Sequence, residues 1–144
     1  MQVKIRRIHP DAVLPNYVHG SSEDAGMDLR SVEDVVLQPE TVTIVHTGII
    51  IELPAGYEGQ VRNRSGMALN GIVSNNSPGT IDPGYRGEVK VMLRNQNKTP
   101  YTIQKGDRVA QLIVAQYTAV EWEETNDLSA TARGVGGLGS TGMR

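Results

Sequence analysis

Cysteine is absent from this chain of 144 residues. That excludes disulfides, thiolate catalysis and Cys-based metal sites, and it fits a reducing compartment. Phenylalanine is absent too, and aromatic residues make up only 4% of the sequence. The core therefore has to be aliphatic, built from Val, Ile, Leu and Met. Net charge is small, −2 at pH 7, so there is no global attraction to DNA or RNA and no nucleic-acid polymer is expected as a partner. No apolar run approaches the roughly 20 residues of a membrane-spanning helix, so no membrane partner is expected either. Met1–Arg7 is basic but lacks the apolar stretch of a secretion signal. The expectation is a soluble, cytoplasmic protein.

What the chain has in quantity is turn-forming residues, with 16 Gly and seven Pro. Short β-branched runs recur between them, at Val3–Ile8, Val35–Leu37, Thr41–Leu53, Tyr57–Val61, Ile72–Ser74, Val89–Arg94, Tyr101–Ile103 and Arg108–Gln116, with Thr118–Glu123 a weaker candidate. Only Ser65–Leu69 reads as helical, and Lys105-Gly106-Asp107 reads as a hairpin turn. This spacing predicts an all-β fold, an antiparallel β barrel or sandwich of jelly-roll type with one short helix. The length suits one domain. The β domain is expected over residues 1–124. From Thr125 apolar residues thin out, and 125–144 is expected to be a flexible Gly-rich C-terminal arm of the same domain.

Several islands carry candidate chemistry. In Gly79-Thr80-Ile81-Asp82-Pro83-Gly84-Tyr85-Arg86-Gly87-Glu88, a lone carboxylate precedes a Pro-Gly turn and an aromatic ring follows it. Pro83 restricts φ and Gly84 relaxes it, so the turn is shaped rather than floppy. A carboxylate and a ring held this way suit gripping a ring-bearing substrate and activating a water; a hairpin turn with a solvated Asp is the plainer alternative. Arg64-Ser65-Gly66 opens the helical turn and reads either as an anion site or as capping by Ser65 beside a solvated Arg64. In Ala25-Gly26-Met27-Asp28-Leu29, Asp28 either orients metal-bound water, as suits Mg²⁺, or closes an Asx turn. Gln111 is a polar residue inside the apolar run of Gly106-Asp107-Arg108-Val109-Ala110-Gln111-Leu112, so it faces solvent or a site. The glycines of Arg133–Gly142, with Arg133, Ser140 and Thr141, suit wrapping a phosphate, although composition alone favours a free tail. Gly134-x-x-x-x-Gly139 is no Walker loop, because Ser140 stands where the Lys is needed. His9, His19 and His46 lack ligand spacing and read as non-catalytic.

In this order the islands closely resemble the trimeric dUTP pyrophosphatase (dUTPase) family, nearly end to end. The resemblance implies a jelly-roll subunit, a homotrimer with sites shared between subunits, and Mg²⁺-assisted water attack on the α-phosphate of dUTP to give dUMP and pyrophosphate. That activity would keep dUTP low and supply dUMP for thymidylate synthesis. It implies that Asp82 holds the 3′-hydroxyl and orients the attacking water, and that Tyr85 stacks on deoxyribose and crowds out a 2′-hydroxyl. Asn76, with the backbone at Thr80, Ile81 and Lys90, matches the uracil-reading hairpin. Arg64, Ser65, Gly66 and Gln111 match phosphate contacts, and Asp28 matches the carboxylate behind the metal's waters. Arg133 through Thr141, including Leu138, Gly139 and Ser140, matches a flap that closes over a neighbour's site. Leu138 departs from the pattern, because the family commonly has an aromatic there to cover the uracil.

Two other readings share the fold. A dCTP deaminase-like enzyme needs a Glu on the strand after the turn, and Met92 stands at the matching place; a thioether cannot move protons. A non-catalytic jelly-roll nucleotide-binding module predicts loss of Asp82 or of the tail, and both are present.

Overall fold

The computed structural model describes residues 1–138 and Ser140, and these contain eleven strands and one short helix. β1 (Lys4–Arg7), β2 (Met27–Arg30), β3 (Val35–Leu37), β4 (Val42–His46), β5 (Ile49–Glu52) and β6 (Tyr57–Arg62) precede α1 (Ser65–Leu69). After it come β7 (Ile72–Ser74), β8 (Gly79–Ile81), β9 (Lys90–Asn95), β10 (Tyr101–Ile103) and β11 (Arg108–Gln116). These strands pair antiparallel throughout, in the orders β2-β11-β6-β8 and β4-β9-β7, with two-stranded ladders β1-β5 and β10-β3. The architecture is the jelly-roll-like all-β fold expected from the turn spacing.

The details differ in instructive places. The long run Thr41–Leu53 is two strands. Gly48 takes φ +68 and turns the chain between them, so β4 pairs with β9 while β5 leaves for β1. A side chain at 48 would also collide with His9, Ala12 and Val32. β2 and β8 carry no strand signature, because each is short and begins beside turn residues; partners across the sheet make them strands. Thr118–Glu123 forms no strand.

The core is aliphatic, as the missing Phe requires. On β9, Val91 and Leu93 are buried while Lys90, Met92 and Arg94 point the other way, the period-two alternation of a half-buried strand. Val45, opposite Val91, and Leu29, Leu37, Ile49, Ile72, Ile103, Val109 and Leu112 complete the interior. Each such side chain contributes about 1.5–3 kcal/mol on burial.

Among the enclosed polar side chains, Asn95 makes the most hydrogen bonds. Asn95 is 0% exposed. Its amide donates to Leu37 O at 2.9 Å and Thr99 O at 2.8 Å, and its Oδ1 accepts from Asn97 N–H at 3.0 Å. It stitches the end of β9 to β3 and to the turn before β10. Asn95→Ala leaves two carbonyls and an N–H without these partners, so we expect a loss of about 2–4 kcal/mol in chemical denaturation. A loss under about 1 kcal/mol would show that water takes over the bonds.

Candidate active site

Two clefts carry the islands. The first, about 210 Å³, is lined by Val18, His19, Asp24, Gly26, Asp28, Arg64, Ser65, Gly66, Arg108 and Gln111. The second, about 290 Å³, is lined by Asn76, Gly79, Thr80, Ile81, Tyr85, Glu88, Lys90 and Met92, with Ile44, Val61 and Val89 as its apolar floor. They have no lining residue in common.

The first cleft rests on Asp28. It lies in β2, directly opposite Gln111 of β11, with its side chain nearly enclosed. Arg64 Nε stands 3.0 Å from one carboxylate oxygen and Arg108 Nη1 3.4 Å from the other. Asp28 is therefore a strand residue in an ion-pair triad, and the Asx-turn alternative falls. Arg64 is the N-cap residue of α1, and Ser65 is its first helical residue with no side-chain cap bond. The capping alternative for Ser65 falls as well, and Arg64 is paired rather than solvated. Its guanidinium also donates to Arg108 O at 3.1 Å.

Arg108 and Gln111 are three positions apart and would face opposite sides of a regular strand. The pairing of β11 with β2 shifts between Arg108 and Ala110, and this bulge brings both side chains to one cleft. Gln111 Nε2 donates to Asn63 O at 2.8 Å. Gly26 makes room for it, since a Cβ there would lie 2.3 Å from Gln111 Oε1. Arg108 is a cleft residue the motif reading quoted without assigning; its signal was the island it stands in.

The second cleft is built on the turn after β8. Tyr85 N–H donates to Asp82 O at 3.0 Å, closing the Asp-Pro-Gly turn. The Tyr85 ring folds back over Gly87, where a Cβ would meet the phenol oxygen at 2.3 Å, and its hydroxyl donates to Glu88 O at 3.0 Å. Asp82 is exposed and follows cleft residue Ile81 directly. Asn76 lies over Gly79, whose missing side chain leaves space for the amide.

Glu88 anchors this turn to the sheet. Its Oε2 lies 2.7 Å from His46 Nδ1, and its Oε1 accepts the Gly48 N–H at 2.8 Å. Next to it, Val89 N–H donates to Ile49 O at 2.9 Å, and the Thr47 hydroxyl donates to Val89 O. Burial pushes the Glu88 carboxyl up, but the His46 and Gly48 hydrogen bonds and the charges of His46 and Lys90 outweigh it, holding it below the usual range. Sequence reasoning missed Glu88 and His46 because their partnership spans 42 positions.

Arg133, Leu138 and Ser140 line neither cleft of their own chain. Arg133 Nε donates to Gly136 O at 2.8 Å, and Leu138 is fully exposed. Gly139 and Thr141 lie outside the described residues. Among the described residues no three His, Cys, Asp or Glu side chains cluster as a metal cage, and no helix is long and apolar enough to cross a membrane.

A family model described as dUTPase matches residues 13–142. A deoxyuridine 5′-triphosphate nucleotidohydrolase of Solibacter usitatus is 55% identical over 143 residues, covering 99% of this chain and 97% of its own. One of Helicobacter pylori is 48% identical over 145 residues, covering 99% and 98%. Among solved structures, a dUTPase of Staphylococcus bacteriophage 80alpha with dUpNHpp superposes with a TM-score of 0.89 at 25% identity, covering 98% of each chain. A dUTPase of phage phi11 of S. aureus, described with a coordinated structural Mg(II) ion, gives a TM-score of 0.80 at 25% identity, covering 88% of this chain and 98% of that one.

Two expectations follow, the first on the reading that the Tyr85 ring crowds out a 2′-hydroxyl. Gly87→Ala should displace the Tyr85 ring while leaving the core intact, so thermal stability should change little and kcat/KM for UTP relative to dUTP should rise. An unchanged ratio would show that the ring's seat on Gly87 does not matter. Glu88 has a depressed pKa in the folded chain, so its contribution is present above its ordinary value of 4.5 and is lost as pH falls through the folded value. Glu88→Gln should therefore lower Tm at pH 7, and the gap to the parent should close below about pH 4.5. Asp24 and Glu52, also held low, titrate alike in both proteins and cancel. A gap that stays constant down to pH 3 would remove the role of the Glu88 charge.

Proposed function

The chain belongs to the dUTPase family and hydrolyses dUTP to dUMP and pyrophosphate, and we propose a division of that work between its two clefts. The observation that carries the division is that the clefts have no lining residue in common. The second cleft takes the nucleoside. Asn76 and the backbone of Thr80, Ile81 and Lys90 offer donors and acceptors to the uracil edge over an apolar floor. Tyr85, seated on Gly87, stacks on the deoxyribose and leaves no room for a 2′-hydroxyl. Asp82 accepts from the 3′-hydroxyl and from the attacking water. As water adds to the α-phosphorus, Asp82 takes its proton, the bond to the oxygen bridging to the β-phosphate breaks, and pyrophosphate leaves.

The first cleft takes the phosphates. Arg64 and Gln111 supply donors, and Ser65 and Gly66 add a hydroxyl and backbone at the start of α1. A complete site then joins the nucleoside cleft of one subunit to the phosphate cleft of another, which calls for a closed ring of copies; a homotrimer supplies three such sites. The segment Arg133–Thr141 closes over a neighbouring site, with Arg133 and Ser140 toward phosphate and Leu138 covering the base by apolar contact.

Magnesium fits this cleft in one way. Asp28 is a single carboxylate with both oxygens already in ion pairs, so it would hold the ion through water rather than directly. Magnesium, when bound, neutralises phosphate charge. Asp28 itself fixes Arg64 and Arg108 and orients water.

Against deamination, Met92 lines the nucleoside cleft. Glu88, the one carboxylate among its described lining residues, has both oxygens engaged by His46 and Gly48.

Pyrophosphate release from dUTP, compared with dCTP, dTTP and UTP, tests the reading; dUTP should be strongly preferred. Asp82→Asn should keep the fold and nucleotide binding but lose about 10²–10⁴-fold in kcat, the usual contribution of a general base. Near-parental turnover in the pure variant would remove Asp82 from the mechanism.

A further inference from the structure

The phosphate cleft has a wall that the division above leaves unused, the loop from Val18 to Asp24. Gly20 takes φ +99, and the N–H groups of Glu23 and Asp24 both donate to its carbonyl, at 3.1 and 3.0 Å. The turn places Asp24 against His19. Asp24 Oδ2 accepts the His19 backbone N–H at 2.7 Å, and the ring Nδ1 stands 3.1 and 3.2 Å from the two carboxylate oxygens. Those bonds hold the Asp24 carboxyl below its ordinary range, the backbone bond most of all, so it is ionised and accepts only. Nδ1 therefore carries a proton, and Nε2 is the ring nitrogen left for a ligand.

His19 and Asp24 line the same cleft as Asp28, Arg64, Arg108 and Gln111. Two carboxylates there offset two guanidinium groups. On the division above, the α-phosphate lies at the nucleoside cleft with Asp82, so the phosphates lodged in this cleft are those beyond it.

We propose that His19, oriented by Asp24, binds the part of dUTP that departs as pyrophosphate. The inference rests on the dUTPase reading. The Asp24 contacts at Nδ1 orient the ring within the cleft lining and leave Nε2 to bond a pyrophosphate oxygen. Asp24 is the positioning residue, and no bond is made or broken at either side chain.

The test is calorimetric titration of the full chain with inorganic pyrophosphate and, separately, with dUMP. His19→Ala should weaken pyrophosphate binding about tenfold, as expected for one hydrogen bond to a charged group, and leave dUMP binding and Tm unchanged. His19→Lys should restore part of the loss by placing a cationic donor at the same wall. Asp24→Asn should weaken pyrophosphate binding in the same selective way, which a merely structural loop residue would not do. Unchanged pyrophosphate affinity in His19→Ala would overturn the proposal, as would an equal loss for dUMP. A parent chain inactive on dUTP, yet losing pyrophosphate affinity on His19→Ala, would fail the substrate reading and keep His19 as a pyrophosphate-binding residue.

Discussion

The Glu88 carboxylate is the tie on which the nucleoside cleft depends. It reaches from the end of the Asp82–Tyr85 turn to the point where β4 stops and β5 begins, and it satisfies the Gly48 N–H and His46 there. Gly48 is able to present that N–H because its positive φ breaks the run Val42–Glu52 in two. The same break releases β5 to pair with β1. One conformational permission in the chain thus shapes the sheets and fixes the base of the turn that carries Asp82. The Tyr85 hydroxyl closes the arrangement by donating to the Glu88 carbonyl, which ties the ring to the anchor.

The phosphate cleft follows a different logic, charge balance in a partly enclosed place. Asp28 is nearly buried, and a lone buried carboxylate would be costly. Arg64 and Arg108 relieve that cost from two elements far apart in the chain, the start of α1 and the start of β11. The triad leaves both guanidinium groups aimed at one cleft with donors to spare, since each has five N–H groups and Asp28 uses few of them. Breaking a partly buried pair from one side leaves an uncompensated charge, so Asp28 is a structural member of the site as much as a place for water. The β-bulge before Ala110 matters for the same reason: in a regular strand, residues three positions apart such as Arg108 and Gln111 would face opposite sides.

On the proposed division, a single chain carries all the islands but holds the two halves of a site apart. Ile81 and Tyr85 belong to one cleft, Arg64 and Gln111 to the other, and the described residues from Arg133 on line neither. Exposed apolar side chains on that segment and before it, Val120, Trp122 and Leu128 among them, are also uncovered within the single chain. Large apolar side chains left open in this way suit contact with other copies.

The order of the islands, the turn-rich composition and the missing Phe were enough to determine the family, the all-β class and the aliphatic core. Tyr85, Arg64 and Gln111, which line the clefts, stood out locally as candidates (a Pro-Gly turn, a helix start, a polar residue inside an apolar run), each with a plainer reading beside it. Pairings were not legible. Asp28 read equally as a turn residue, and its ion pairs, reaching 36 and 80 positions along the chain, decided otherwise. His46 and His19 showed no spacing, because their carboxylate partners are chosen by sheet register and by a loop closed on Gly20. β2 and β8 were invisible as strands, since pairing across a sheet makes a short segment extended whatever its own preference. Local propensity and turn chemistry act over a few residues and can be read along a chain; hydrogen-bond and charge partners are set by which strands meet, and only the folded structure decides that.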